Sequence, residues 1–532
     1  MSSLPRLSGR RRFVTAAVVA GLLPLSAAFA QPRVSPTAPA ARAAAAPAPA
    51  KAPAVAGRGR FTLIGHDQLY GRGMNAALAV YGTHVYVGSR TDGSPGHLHP
   101  GVLVVDVKDP RRPRVVNEIT DQQGGVSQTS RELRVWPQQK LLMILDFNCS
   151  ALIHRCVSAA DVTGSLASGI RFYDLTDPAA PKLLSTYTPS RTPHEIDLWL
   201  DPARPRRALL YMSTPTSGTT RPNLIVTDIS GARAGRFTEI ATFNPNAQFP
   251  SAVRDADDVR LHSMTVTPDG RLLHLAYLGG GYLTVDSSQV AAAKPSPSLR
   301  LLTPIANRVH WGNPGAHSAV PVPGRPNLVL MTDEVYGKFG GVLADGGCPW
   351  GWVRLVDISK VTQPRVVSQY KLAENQPGFC KTPRGSDPRT ENFTSFSSHN
   401  PTVVSSDLAF VTWHSKGLQA IDLRNPARPV SAGEFLPEPL ASVATEDPAL
   451  GGGPDKVIMW SFPVIQNGLI YVVDLRNGLY ILKYDGPLSG PVKATGFLEG
   501  NSNVGQVLTG QSGVRRAAAA RRGREGDALP AE

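Results

Sequence analysis

For its length the chain is short of charge, cysteine and aromatic residues. Of 532 residues only 18% are Asp, Glu, Lys or Arg, 7% are aromatic and four are Cys. So few cysteines exclude a disulfide-framework miniprotein. Low charge beside 42% hydrophobic content excludes a disordered chain. Helical periodicity is also missing, and with 50 Gly and 47 Pro the chain is too rich in turn formers for a helical protein. After residue 30 no run of 18 apolar residues occurs, so no transmembrane segment is expected in the mature protein.

Acid is absent from the first 60 residues, which hold nine basic residues, and residues 511–532 hold five Arg against three acids. Residues 61–510 therefore carry only +3 of the net +14. A nearly neutral body with basic ends does not imply a duplex-binding surface, and nucleic acid is excluded as a partner.

Residues 1–30 have a basic start, an apolar run from Phe13 to Phe29 and small residues at Ala28 and Ala30 before Gln31. That pattern is a signal peptide cleaved near Ala30, which places the mature protein in the periplasm or outside the cell. Arg10-Arg11-Arg12-Phe13-Val14 also fits a twin-arginine export signal, with an ordinary Sec signal as the alternative. Residues 31–60 are almost wholly Ala and Pro and read as a linker, and residues 501–532 read as a disordered basic tail.

Between them an apolar run ending in or near an acid recurs seven times: Val102 to Asp106, Ile170 to Asp174, Leu224 to Asp228, Tyr282 to Asp286, Val353 to Asp357, Leu418 to Asp422, and Leu479 to Tyr484 before Asp485. A Pro-containing turn follows most copies, such as Asp177-Pro178-Ala179-Ala180-Pro181, and two more strands precede each. Such a four-stranded meander cannot bury both faces alone, and stacking seven of them radially does so. The expected fold is all-β, a seven-bladed β-propeller of four-stranded blades over residues 61–500. Phe61 to Ile64 should add an outer strand to the last blade.

The lines Gly101 to Asp106, Val353 to Ile358 and Gly417 to Leu423 resemble the LVIVD-repeat family of exported bacterial propellers. The resemblance spans about residues 61–486 and implies fold and export. It implies no common activity.

Long insertions fall between second and third strands and between successive blades, so they build up one face and leave the other plain. Long loops on a rigid scaffold are where function concentrates. Cys149 and Cys156 share one insertion, while Cys348 and Cys380 lie in two successive ones, which predicts disulfides 149–156 and 348–380.

Four of the twelve His recur at one place, immediately before the innermost strand: His194, His262, His317 and His399. Imidazoles converging there from adjacent blades could ligate Fe, Cu or Zn. The other reading is that His is simply a repeat residue hydrogen-bonding a neighbouring blade. His414, at the end of a second strand, could join the ring. The nearby acids Glu132, Glu195, Asp257, Asp258 and Glu334 could serve as bases or orienters. Ser263 and Ser318 adjoin His but should point to opposite faces. Gly279-Gly280-Gly281 has no following helix, so no nucleotide cofactor is expected. Trp311, Trp350, Trp352, Trp413 and Trp460 offer aromatic surface to a ligand.

Two functions follow. One is a monomeric scaffold whose decorated axial face binds a small molecule or an envelope protein, with or without a metal on the four His. The other is a metal-dependent oxidoreductase or hydrolase at that site, with Glu195 and His414 moving protons.

Overall fold

Each apolar-then-Asp run is the third strand of a meander, and in five copies the acid ends the strand in the same way. Asp106, Asp228, Asp286, Asp357 and Asp422 each accept the backbone N–H two residues on, at 2.8–2.9 Å. The carboxylate thus replaces the next ladder partner and turns the chain. Asp106, Asp286 and Asp357 also pair with Arg114, Arg300 and Arg365 directly opposite on the fourth strand. These repeat acids are structural.

The computed structural model describes residues 60–92, 94, 96–120, 128–148, 169–256, 259–311, 315–338 and 346–509. The expected signal peptide and the Cys149–Cys156 pair lie outside them, as do Asp257 and Asp258.

The fold is an all-β propeller built from antiparallel meanders. Hydrogen bonding does not, however, sort the strands into seven equal four-stranded sheets. Among the described residues it gives six, of which four have four strands, beginning with Glu195–Leu200, Arg260–Val266, Ala316–Val322 and Ser398–Ser405. An eight-stranded sheet unites the meanders Asn75–Tyr81 to Arg114–Ile119 and Gln128–Trp136 to Lys182–Tyr187. The last sheet has five strands because segments before and after its own meander join it: Phe61–Asp67 pairs outside Gly478–Tyr484, as expected, and Phe497–Glu499 pairs inside Val464–Gln466. Apolar cores lie between neighbouring meanders, including one that joins Val464, Tyr471 and Leu479 of the last to Leu78, Val87 and Leu103 of the first. Closure of the ring therefore buries the apolar faces of the first and last meanders against each other.

A glycine opens several third strands because neighbouring backbone passes too close for a Cβ. At Gly417 (φ +66°) a Cβ would strike the Phe435 carbonyl, and at Gly281 (φ +82°) the Val309 carbonyl. Gly281 thus answers to packing, not phosphate. Gly417→Ala is expected to destabilise the protein by about 2–3 kcal/mol, while Asp357→Ala should cost about 1 kcal/mol. Denaturant midpoints of the two variants against the parent check the ranking.

The expected tail boundary at residue 500 is displaced. After Phe497–Glu499 the chain crosses the plain end of the axial channel, where Asn501 donates to the Met264 carbonyl at 3.0 Å. Asn503 accepts from Leu200 N–H and donates to Leu200 O, both at 2.8 Å. Val504 is fully buried against the core that holds Trp136 and Leu200. Residues 501–509 belong to the propeller because they satisfy backbone groups left open where the inner strands end.

On the built-up face Cys348 and Cys380 form the expected disulfide, with Cα atoms 5.6 Å apart. Asn375 donates to the carbonyls of Pro349 and Phe396, tying the same two insertions together. No described helix is long and apolar enough to cross a membrane.

Candidate functional site

The histidines are aimed at the axis by irregularities in the inner strands. His262 is the extra residue in the register shift between Leu261 and Ser263, and His317 is that between Ala316 and Ser318. His399 falls in the shift between Ser398 and Pro401. These three lie within the strands, not before them as expected; only His194 precedes its strand. A bulge leaves its extra residue out of the ladder and re-aims its side chain. The repeat therefore delivers an inward residue from each of these meanders, and Arg131 holds the equivalent position between Ser130 and Glu132.

The four imidazoles meet. His194 Nε2 and His262 Nε2 are 3.0 Å apart, while ring centroids lie 4.0 Å apart for His262 and His317 and 3.9 Å for His317 and His399. Glu334 enters the same space. Its carboxylate oxygens approach the Nε2 atoms of His399, His262 and His317 at 3.2, 3.4 and 3.9 Å. Glu195 stands on the other side, with Oε1 3.6 Å from His262 Nδ1 and 3.7 Å from His317 Nε2. Two overlapping sets, Glu195–His262–His317 and His317–Glu334–His399, have ligand atoms close enough to share one ion.

Two rings are held by their other nitrogen. His317 Nδ1 lies 2.8 Å from Ser318 Oγ, and His399 Nδ1 lies 2.5 Å from the Trp460 carbonyl. Both anchors leave Nε2 facing the cluster, the arrangement that fixes a metal-ligating imidazole. Ser318 was expected to point away from His317, but the bulge breaks the strand's alternation and brings them together. Ser263 donates to the His317 carbonyl instead of acting as a nucleophile.

Burial lowers the pKa of His262 to about 4 and keeps His194 and His317 well below the ordinary imidazole value, so these three are neutral at pH 7. Burial also pushes Glu334 upward, but the His399 hydrogen bond, together with attraction to whichever surrounding imidazole carries a proton, outweighs it and holds the carboxyl well below its usual range. Glu195 goes the other way, raised by desolvation and by Glu132. Neutral imidazoles beside one ionised carboxylate form a donor set suited to a divalent transition metal.

Beneath the cluster the channel is polar and closed. Arg134 donates to Glu132 at 3.1 Å and to Asn501 at 3.1 Å, with Asp197 and Glu499 buried nearby. Burial raises Asp197 to about 8 even though Val266 N–H donates to it at 2.9 Å. Between the ordinary value of 3.8 and about 8 the unfolded chain has lost this proton and the folded chain keeps it, so stability falls as pH rises through that window. Asp197→Asn mimics the protonated side chain. The variant should gain on the parent by a few kcal/mol, at about 1.4 kcal/mol per pH unit, between pH 5 and 8. Urea unfolding at several pH values checks this, and parallel profiles would refute it.

His414 does not join the converging sets. Its ring stacks on His399 at a centroid distance of 5.0 Å and its Nδ1 lies 3.1 Å from Ser395 Oγ. The expected aromatic surface is mostly interior: Trp413 is fully buried, Trp350 packs edge-on against Phe396, and Trp460 is 6% exposed. Sequence reading undervalued Glu334 as one of several mouth acids. The missed signal is positional, because Arg90, Glu334 and His414 each directly follow a second strand, and each N–H bonds a carbonyl just before or at the edge of the inner strand.

No protein-family model matches the chain, and no curated protein matches it. Among solved structures it is similar to the β-propeller domain of Myceliophteria thermophila Cps50 (Swd1), with a TM-score of 0.45 and 10% identity over 80% of this chain and 99% of that one. It is also similar to Chaetomium thermophilum Sqt1 bound to the N-terminus of the ribosomal protein L10, with a TM-score of 0.42 and 13% identity over 78% of this chain and 89% of that one. Likenesses this loose carry no argument about function.

Proposed function

We propose that this chain is an exported seven-repeat propeller of the LVIVD type that binds its ligand on the loop-built face, at a transition metal held by His194, His262, His317 and His399. The observation that carries this reading is the grouping of imidazole nitrogens from four successive meanders, with His262, His317 and His399 beside Glu334 and His194 beside His262. Separations near 3 Å are those expected between neighbouring ligand atoms that each stand about 2.0–2.1 Å from one ion. Iron, copper and zinc all accept such a set.

The count of seven is supported by the eight-stranded sheet, in which, among the described residues, the ladder joins two four-stranded meanders through the pair Ser89–Ser130. Export is supported by the pattern of residues 1–30, and the Cys348–Cys380 disulfide fits an oxidising compartment.

A second reading, a metal-dependent oxidoreductase or hydrolase, is favoured by the Glu195 carboxyl lying within 3.7 Å of two imidazoles, where it could exchange a proton with a bound reactant. Elemental analysis of protein recovered after export tests the shared premise. One tightly held transition metal per chain is expected. Its absence, with no uptake of added Fe, Cu or Zn, would reduce the histidines to structural repeat residues.

A further inference from the structure

The plain end of the channel has a cavity of its own, of about 770 Å³. It lies where the inner strands Arg260–Val266, Ala316–Val322 and Ser398–Ser405 meet residues 498–506. Its wall is largely apolar, with Val266, Leu272, Val320, Val322, Val403 and Leu498 among the lining side chains. The charged lining residues are Asp269 and Arg271, which stand 3.9 Å from each other with side chains 63% and 74% exposed. Charge therefore belongs to the rim, where water solvates both signs.

His274 is the exception in that wall. It lies two residues beyond Leu272 on the strand Leu272–Leu278, so both present the same face, and it is 1% exposed. Burial lowers its pKa to about 4, which leaves the ring neutral at pH 7. A hydroxyl relay sets which nitrogen keeps the proton. Thr284 Oγ1 donates to the Tyr282 hydroxyl at 2.8 Å, and that hydroxyl, 2.7 Å from His274 Nδ1, has its own proton to give to the ring. A neutral imidazole that accepts at Nδ1 carries its hydrogen on Nε2. Among the described residues no group accepts from that N–H. The other buried polar side chains of the lining are engaged: Asn501 donates to the Met264 carbonyl, Ser502 to Glu499 and Asn503 to the Leu200 carbonyl.

We infer that this cavity is a second binding site, for an uncharged, mainly apolar organic molecule whose carbonyl or ether oxygen accepts the hydrogen bond of His274 Nε2. Its volume falls within the roughly 300–1,000 Å³ of small-molecule sites, and one fixed polar group in an apolar wall is how such sites orient a ligand. A pure hydrocarbon would leave the buried N–H unpaired. An ion would give up its hydration to a wall that holds no opposite charge away from the rim. The site does not depend on the histidine cluster or on any metal there.

The probes are benzophenone, diphenylmethane, which lacks the oxygen, and 4-benzoylbenzoate, which adds a charge, each titrated into the full exported chain. Benzophenone should bind saturably, and the acid should bind no tighter. His274→Phe should weaken benzophenone about tenfold, the equivalent of one buried hydrogen bond, while leaving diphenylmethane within about twofold of its parent affinity. Leu272→Trp fills the cavity from a half-buried position and should abolish binding of benzophenone. Irradiated benzophenone inserts into neighbouring C–H bonds, so its adducts should map to peptides bearing Leu272, Val320 or Val322. Tighter binding of the acid, equal loss of ketone and hydrocarbon in folded His274→Phe, or adducts elsewhere on the chain overturns the inference. If His274→Phe does not fold, the Leu272→Trp titration, the adduct map and the comparison with the acid on the parent decide.

Discussion

His262→Ala and His317→Ala should each abolish metal retention through dialysis while leaving the propeller folded. Each ring supplies one nitrogen to the cluster from a bulge, where the side chain lies outside the strand ladder. Loss of one of four ligands is expected to weaken binding by more than the roughly 10- to 100-fold typical of outer-shell changes. Removing a buried ring costs about 1–3 kcal/mol, which a chain with a closed apolar ring of cores can absorb. Elemental analysis and circular dichroism on the same samples read the two effects separately. Variants that keep their metal, or that unfold although the parent holds none, would show that the imidazoles serve the blades alone.

The other large effect is expected from truncation after Gly496. This removes the strand Phe497–Glu499, the Asn501 and Asn503 hydrogen bonds and the buried side chain of Val504. It leaves Leu200 N–H and the carbonyls of Leu200 and Met264 without these partners, and it uncovers the buried carboxyls around Arg134. Summed over one buried Val and several hydrogen bonds, the loss is on the order of 5 kcal/mol. A lower thermal midpoint should accompany it. A chain ending after Thr509 keeps all these contacts and should melt with the parent, whereas equal melting of the shorter chain would show that the segment only rests on the surface.

The repeat was legible because it is local. An apolar run, a terminal acid that caps its own turn and a glycine that admits the next strand all act within about twenty residues, so Val353 to Asp357 could be assigned from its neighbours. The histidines were legible for the same reason, since their recurrence marks equivalent places on equivalent strands. Glu334 was not. It follows a second strand as Arg90 and His414 do, and nothing nearby in sequence separates a carboxylate bound for the histidines from one in solvent. The Ser318 to His317 contact was misjudged because alternation holds for a regular strand, and the bulge that cancels it shows only in the register.

The sequence by itself determined the all-β class, the strand that closes the last sheet from the N-terminal side and the residues that could gather at the mouth. Each depends on patterns of two to a few residues, which the pleat and the turn convert directly into structure. Only the tertiary structure decided that the first two meanders share one sheet, that residues 497–509 floor the channel, and that Glu334 stands among the imidazoles. Those outcomes pair groups far apart in sequence, Arg134 with Asn501 and His399 with Glu334, and they exist only once the ring has closed.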